Sequence, residues 1–200
     1  MSDRSFASGN TVARNNESGN DGNGNDWTGD RMTSDPINDE VEATRLAFRE
    51  GMARLAAAVN IVTTDGPGGL AGFTASAVCS VTDRPPTLLV CLNRSSSVAG
   101  MFEKNRVLCV NTLASGHEAM SKLFGGSTPQ QERFASGEWV TGVTGAPRLN
   151  GAIVSFDCEV ENAVESGTHH VLFCRVVGVA HGPEEDEALL YFRRRYHYIR

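Results

Sequence analysis

The sequence predicts a mainly β protein, a small closed barrel with a few short helices and a polar N-terminal tail. Short apolar runs recur from about residue 59 to the C-terminus and are separated by turn residues or short helical stretches. No GxGxxG motif follows a strand, and regular strand–helix alternation is absent, so the pattern does not predict a Rossmann fold. The length of 200 residues fits one domain with room for a tail.

Residues 1–42 differ in composition from the rest of the chain. They are rich in Asn, Gly, Ser and Asp and contain few aliphatic residues. Such a segment cannot bury enough apolar surface to offset its conformational entropy, so we expect it to be disordered. It holds nine acids and three arginines, whereas the other 15 acids and 15 Lys or Arg cancel, so the tail carries the whole formal charge of −6. Residues 43–200 are predicted to form the folded domain.

Composition also limits the function of this domain. A neutral body lacks the basic stripe of a nucleic-acid-binding face, so no nucleic-acid partner is expected. No signal-peptide core and no membrane-spanning apolar run is present, which predicts a cytoplasmic protein without membrane contact. The five cysteines show no CxxC pairing and no His at ligand spacing, which favours buried, reduced thiols over a metal site or disulfides. They are Cys79, Cys91, Cys109, Cys158 and Cys174.

The individual elements follow from apolar periodicity. A helix near 43–57 is predicted because Phe48, Met52 and Leu55 recur at spacings of three and four. Two strands follow, joined as a hairpin across the Gly- and Pro-containing turn 65–69. The predicted strands are 59–64, 70–75, 87–92, 107–113, 152–164, 169–180 and 189–192, and the short helices are 97–104 and 117–124.

Two stretches, 72–80 and 88–97, place small residues and hydroxyls beside apolar strands. In the first, the hydroxyls of Thr74 and Ser76 could face a ligand. In the second, Arg94 and three serines precede a predicted helix start. Serine hydroxyls and free N–H groups at a helix start can donate to phosphate oxygens, and Arg94 supplies positive charge. A phosphate site is therefore one interpretation; spacing alone favours the other, a helix N-cap beside a polar strand.

Six stretches of the body, in the same order along the chain, resemble those of a known family. They are AVNIVTTD (58–65), GFTASA (72–77), NRS (93–95), CVNTL (109–113), LFGG (123–126) and GTH (167–169). Residues 45–200 are similar to the short-chain flavin reductases, the small reductase components of two-component flavin monooxygenases. Two stretches, 77–94 and 154–158, most resemble the branch that serves the Rut pathway of pyrimidine use.

The resemblance implies the FMN-binding split β-barrel, a Greek-key barrel that forms a homodimer with a flavin at each subunit interface. It implies an NADH-dependent FMN reductase with FMN and NAD(P)H as substrates. Reduced FMN would then diffuse to a partner flavin-dependent monooxygenase in uracil or thymine catabolism. Hydride transfer requires only that the nicotinamide stack on the flavin, so no metal, nucleophile or carboxylate pair is expected.

Two alternatives fit the same barrel. One is a non-catalytic flavin-binding protein, because the absence of catalytic groups favours a binding module equally well. The other is a pyridoxamine-phosphate-type oxidase, although its phosphate-binding pattern of several Arg and Lys is not visible in the sequence.

The resemblance also assigns residues to the flavin. Those expected to line the isoalloxazine ring are Phe73, Thr74, Ala75, Ser76 and Ala77. Those expected to hold the ribityl phosphate are Asn93, Arg94, Ser95 and Ser96. Asn111 and Thr112 are expected to contact the ring or the ribityl chain, the alternative being an ordinary strand end.

Further candidates lie toward the C-terminus. His169, in the Gly-X-His position, is expected to lie by the flavin and contact the nicotinamide nucleotide, whereas spacing alone predicts a solvated hairpin residue. Close relatives carry Asp at the position of His170. Gly125, followed by Gly126 at a helix C-cap, and the pair Arg133 and Phe134 are expected to border the flavin. The segment between them is predicted to be a mobile loop that gates nicotinamide access. Tyr196 is expected to form a wall for the nucleotide.

Overall fold

The computed structural model describes residues 36–184 and 187–200. The chain divides into one unit at 1–40 and another at 41–200. Of the first unit, residues 36–40 are described, and they begin helix α1 (Pro36–Met52). The tail 1–42 was expected to be disordered; its residues 36–42 instead form the start of α1, and its other residues lie outside the described part. Helix α1 starts earlier than the predicted helix 43–57 and ends five residues before it. Ala57, which was expected to end the helix, instead pairs with a strand near the C-terminus.

Strands make up most of the body. They are β1 (Ala57–Ala58), β2 (Asn60–Thr64), β3 (Ala71–Ala75), β4 (Val78–Asp83), β5 (Pro86–Asn93), β6 (Val107–Thr112), β7 (Trp139–Thr141), β8 (Pro147–Leu149), β9 (Val154–Ser166), β10 (His169–His181), β11 (Ala188–Phe192) and β12 (Arg195–Ile199). The remaining helices are α2 (Ala99–Asn105), α3 (Glu118–Gly125) and α4 (Gln130–Ala135), with a 3-10 turn at Ser115–His117.

Seven strands form one antiparallel sheet in the order β3-β2-β6-β9-β10-β5-β4. Its two edge strands, β3 and β4, are separated in the chain only by Ser76 and Ala77. The step from Ala75 to Val78 spans at most about 11 Å, so the sheet must curl until these two strand ends come together, which makes it a barrel. Val62, Val90 and Leu108 fill the interior and are fully buried. Small sheets β1-β11-β12 and β7-β8 complete the fold.

Strand register places the end of β5 beside the beginning of β10. Asn93 lies opposite His169, and Leu92 lies opposite His170. The turn after Asn93 therefore lies next to the hairpin that joins β9 to β10. This is the part of the barrel where the sequence placed its phosphate and nicotinamide residues.

The structure also contains elements that the periodicity did not predict. They are β4 as a separate strand, β7, β8, β12 and α4. Because β4 is an edge strand whose side chains are largely exposed, Cys79 is exposed, and the expectation that all five thiols are buried is wrong for it. Cys91 is half-buried, and Cys109, Cys158 and Cys174 are buried. Among the described residues no helix is long and apolar enough to cross a membrane.

Candidate functional site

A cavity of about 680 Å³, here called cavity A, lies between β3, the end of β5 and the segment after α3. Its lining comes from Phe73 and Thr74, from the β5 end and the serines that follow it, and from residues 124–130 with Arg133. This volume is within the range of roughly 300–1,000 Å³ that is typical of small-molecule and cofactor sites. Among the described residues, no Asp or Glu lines it.

The turn after β5 brings serine hydroxyls to cavity A. Asn93 Oδ1 accepts hydrogen bonds of 2.9 Å from both the backbone N–H and the hydroxyl of Ser95. The turn is closed by a bond of 3.0 Å from Ser96 N to Asn93 O. Ser97 has no hydrogen-bond partner among the residues that the structure describes, so its hydroxyl is available to a ligand.

The helix N-cap interpretation of these serines is not supported. Helix α2 begins at Ala99, two residues later than predicted, and its N-cap residue is Val98, which makes no side-chain cap. The N–H of Ala99 already donates to Ser96 O at 3.1 Å. The expected free N–H groups of the helix start are therefore partly used within the chain, and serine hydroxyls become the main donors toward cavity A.

Arg94 does not line cavity A, but it lines a second cavity together with Asn93 and Ser95. Of the group predicted to hold the phosphate, Asn93 and Ser95 line both cavities, whereas Ser96 lines cavity A only.

The Arg94 guanidinium forms an ion pair of 3.2 Å with Glu165 and lies 3.4 Å from Gly167 O. This second cavity, cavity B, has a volume of about 650 Å³ and is also lined by Glu103 and His170. The attraction of Glu165 explains this orientation, and the two carboxylates make cavity B the less favourable place for a phosphate.

On β3, only two of the five predicted residues line cavity A. Phe73 and Thr74 do, but Thr74 Oγ1 donates a bond of 2.7 Å to Ser121 O, so its hydroxyl is already used. Ala75 belongs to the buried core. Ser76 and Ala77 are exposed in the link to β4 and lie outside the cavity lining.

Asn111 is a core residue rather than a wall residue, contrary to expectation. Its side chain is 0% exposed. Its amide donates to Ile61 O at 3.1 Å, and its carbonyl accepts from Leu149 N at 2.8 Å and Ser155 Oγ at 2.9 Å. An Asn that holds three other segments together in this way cannot also reach a ligand.

Thr112 also turns away from cavity A. Its hydroxyl donates to Asn60 Oδ1 at 2.8 Å, and the residue lines an apolar groove beside β4. The alternative of an ordinary strand end describes Thr112 better than a flavin contact within this cavity.

Phe134 and Tyr196 lie behind the wall of cavity A. The Phe134 ring packs edge-on against Phe124 with centroids 5.2 Å apart, and it lies 4.9 Å from the Trp139 ring. The Tyr196 hydroxyl is 2.7 Å from Ser121 Oγ on α3. Both aromatic residues support α3 and its C-terminal end, whereas Gly125 lines the cavity as predicted.

His169 and His170 project to opposite faces of β10 because they are neighbours on a strand. His169 Nδ1 lies 2.9 Å from Thr168 Oγ1, and the ring is half-buried. His170 Nε2 lies 3.1 Å from Glu103 Oε1 on α2, with only 13% of its side chain exposed. The structure thus gives His170 a partner within the chain, and the nicotinamide role of His169 stays a prediction.

Sequence reasoning missed several wall residues, above all Gln130. Residues 127–132 were expected to be a mobile loop, but the segment runs into α4 and is held by Arg133, which lines cavity A as predicted. The Arg133 side chain is buried and donates to four backbone carbonyl oxygens, including Gly72 O and Phe124 O, both at 2.9 Å. Burial lowers the pKa of Arg133, although its guanidinium stays charged at neutral pH. No periodic or compositional signal identified these contacts.

Comparisons with known proteins agree with this architecture. A family model described as a flavin reductase like domain matches residues 52–200. A relative from Ancylobacter novellus named FMN reductase (NADH) RutF is 66% identical over 156 residues, which cover 78% of this chain and 86% of that protein.

Solved structures give the same result. A putative flavin reductase from Haemophilus somnus is 47% identical with a TM-score of 0.74, over 77% of this chain and 98% of that chain. The flavin reductase of the styrene monooxygenase of Pseudomonas putida S12 is 26% identical with a TM-score of 0.65, over 76% and 97% respectively.

The curled seven-stranded sheet and these structural neighbours define the class of the protein: it is a split β-barrel of the flavin reductase type. The chain belongs to the flavin reductase like family, over residues 52–200. The resemblance inferred from the six motifs is therefore confirmed, and so is the predicted fold class.

Proposed function

We propose that this protein is an NADH-dependent FMN reductase that reduces FMN and releases it. The observation that carries the proposal is cavity A, in which the serine hydroxyls after β5 lie near an apolar aromatic wall. A relative 66% identical to this chain is named FMN reductase (NADH) RutF, which supports the same substrates.

The residues of cavity A suit FMN on chemical grounds. Ser96 and Ser97 offer hydroxyl donors for a phosphate, and the described lining contains no carboxylate to repel it. Phe73 and Phe124 offer an apolar surface for a flat aromatic ring. When bound, FMN supplies the two-electron acceptor for the hydride of NADH.

The chain itself needs to do little beyond binding and orienting. The serines fix the phosphate end, and the aromatic wall keeps water from one side of the ring. Hydride transfer itself requires no side chain to take or give a proton.

We also propose a homodimer in which a second subunit completes the site. Ser76 and Ala77 are exposed beside the edge strand β4, and Val81 on β4 and Val179 on β10 are 46% and 51% exposed. Exposed apolar side chains on two strands of one sheet, β4 and β10, which are separated by β5, favour coverage by another protein surface. In such a dimer, Ser76, Ala77 and His169 would lie where flavin and nicotinamide meet.

The consumer of reduced FMN is, in this proposal, a separate flavin-dependent monooxygenase of pyrimidine catabolism. One structural neighbour is the flavin reductase of a styrene monooxygenase, which supports a reductase that serves a partner. The name RutF of the relatives supports the pyrimidine branch, as do the stretches 77–94 and 154–158 of the sequence.

Anaerobic steady-state assays test the proposal. NADH oxidation should depend on added FMN and should yield an equivalent amount of reduced flavin, with FMN preferred to riboflavin. A protein that binds FMN but does not oxidise NADH would refute the reductase function and favour the non-catalytic flavin-binding alternative.

A further inference from the structure

Strand β3 is an edge strand whose outward backbone groups are covered by side chains. The N–H of Gly72 donates to Gln130 Oε1 at 2.9 Å, and Gly72 O accepts from Arg133 Nη1 at 2.9 Å. Two side chains of α4 thus take the place that a neighbouring strand would occupy. We call this set of three residues, Gly72, Gln130 and Arg133, the Gly72 clasp.

Gly72 allows the closest approach between β3 and the end of α3. A Cβ atom at this position would lie 2.7 Å from Phe124 Cε1 and 3.2 Å from Val62 O. Any side chain would therefore push Phe124, a wall residue of cavity A, away from β3. The glycine is required by the packing at this point.

Arg133 extends the clasp along the cavity wall. Besides Gly72 and Phe124, its guanidinium donates to Thr128 O at 2.7 Å and Gly126 O at 2.8 Å. A guanidinium has five N–H groups, so four of them are engaged with backbone oxygens. Arg133 therefore acts on the wall through the backbone, and its fork geometry matches four acceptors that one ammonium group could not serve together.

We propose that Gln130 and Arg133 are positioning residues that fix the distance between β3 and segment 124–128 and thereby set flavin affinity. This inference rests on the proposed function, in which cavity A holds the flavin. The clasp fixes the two walls of cavity A, Phe73 and Thr74 on one side and segment 124–128 on the other. Loosening it widens the site for any flavin, whether or not the flavin carries a phosphate.

Arg133→Lys tests the role of the forked guanidinium group, which donates to four backbone oxygens. Arg175→Lys is the matched control. Arg175 is bound to Glu159 and Glu161 on β9, and it does not line cavity A. The Arg133 variant should raise KM for FMN by about tenfold or more, the effect of losing one or two net hydrogen bonds. The Kd values of FMN and riboflavin should rise by the same factor, while kcat at saturating FMN should stay within about twofold.

Gln130 provides a second and milder test. Gln130→Leu removes the acceptor for Gly72 N–H and should weaken both flavins by several-fold. Gln130→Glu keeps an oxygen acceptor at the same place and should restore riboflavin affinity to near the wild-type value, whereas its negative charge in the lining of cavity A should keep FMN, with its phosphate, more weakly bound. If Gln130 and Arg133 had a purely structural role, their variants would have a lower melting temperature, but KM for FMN would not rise while kcat stayed nearly unchanged.

The fluorescence of Trp139 measures the arrangement of segment 124–128 in the absence of flavin. The Trp139 ring lies 4.9 Å from Phe134, and its Nε1–H donates to Phe134 O at 3.0 Å. In a Trp27→Phe background it is the single tryptophan of the chain. Arg133→Lys should change its fluorescence and speed amide exchange in segment 124–128, while exchange in β6 stays protected.

The outcomes separate the two proposals. Unchanged KM and unchanged exchange in Arg133→Lys would overturn the positioning role. Weakened FMN with unaltered riboflavin would also overturn it, because Arg133 would then be a phosphate ligand. Arg133→Lys could speed amide exchange in segment 124–128 while the wild-type protein binds no flavin. That result would refute the proposed function, but it would support the Gly72 clasp as the set of contacts that holds this wall.

Discussion

The hydroxyl of Thr74 is bonded to the backbone oxygen of Ser121 at 2.7 Å, which ties β3 to α3. The hydroxyl of Ser121 in turn lies 2.7 Å from that of Tyr196 on β12. Thr74 was expected from the sequence to reach the flavin ring, yet its hydroxyl is used to hold the helix that leads into the cavity wall. Although Thr74 lines cavity A, the effect of its hydroxyl on flavin binding is therefore indirect.

Replacing Thr74 should weaken both flavins together. Thr74→Val removes the hydroxyl at nearly constant shape and should cost about 1 kcal/mol of unfolding free energy, the net value of one hydrogen bond. The Kd values of FMN and riboflavin should rise in parallel, since α3 shifts against β3. Urea unfolding and flavin fluorescence titration measure the two effects. Thr74→Ser, which keeps the hydroxyl, is the control, and a selective loss of FMN alone would contradict this role.

The serine turn should determine the preference for FMN over riboflavin. The double change Ser96→Ala with Ser97→Ala removes two donors to the phosphate, each worth roughly 1.5–3 kcal/mol toward a charged group. FMN should therefore bind at least about tenfold more weakly, with riboflavin little changed. Arg94→Ala is the informative control because Arg94 is paired with Glu165 in cavity B. If Arg94→Ala alone abolishes the preference, the phosphate is held on the cavity B side.

Asn111 should matter for stability and not for binding. Asn111→Leu leaves Leu149 N–H and Ser155 Oγ without their acceptor in a fully buried site. Each orphaned group costs roughly 1–3 kcal/mol, so a loss of about 3 kcal/mol or more of unfolding free energy is expected. Asn150→Ala, at an exposed position, should cost less than about 0.5 kcal/mol. A selective loss of flavin affinity in a fully stable Asn111→Leu protein would restore Asn111 to the site.

These residues show which inferences a sequence supports. Strands with strong apolar runs, such as β5 and β10, were predicted to within about two residues because burial fixes their period. The short elements β7, β8 and α4 contain too few residues for a period to show. Asn111 and Arg133 were uncertain for a different reason: each has a partner far away in the chain, Leu149 at 38 residues from Asn111 and Gly72 at 61 residues from Arg133. Only the three-dimensional structure shows whether such a polar side chain faces a ligand or the protein.

The buried thiols should make the protein less stable at high pH. Burial raises the pKa of Cys109 and of Cys174 to about 12 and that of Cys158 further. In the unfolded chain each thiol loses its proton near pH 8.5, so above that pH deprotonation favours unfolding. Unfolding free energy should fall by about 1.4 kcal/mol per pH unit for each thiol between about pH 9 and 12.

Thiol labelling checks which of the five cysteines are buried. Near about pH 8, native protein should show one rapidly labelled thiol, Cys79, because the others are half-buried or buried. Cys79→Ser should lose this rapid phase but keep the same fall in stability with pH, measured by urea unfolding. Rapid labelling of Cys109, Cys158 or Cys174 in native protein would contradict the packing of the barrel interior.

His169 and His170 offer the sharpest test of where the nicotinamide binds, since the two rings lie on opposite faces of one strand. His169 lies opposite Asn93, which lines both cavities, whereas His170 lines cavity B and is held there by Glu103. If the nicotinamide stacks on a flavin in cavity A, His169→Ala should raise KM for NADH about tenfold, the worth of one contact of roughly 1–2 kcal/mol, with FMN affinity nearly intact. His170→Ala should lower stability slightly through the lost contact with α2 and leave KM for NADH unchanged. The reverse pattern, a silent His169→Ala and a raised KM in His170→Ala, would move the nucleotide to the cavity B face of β10.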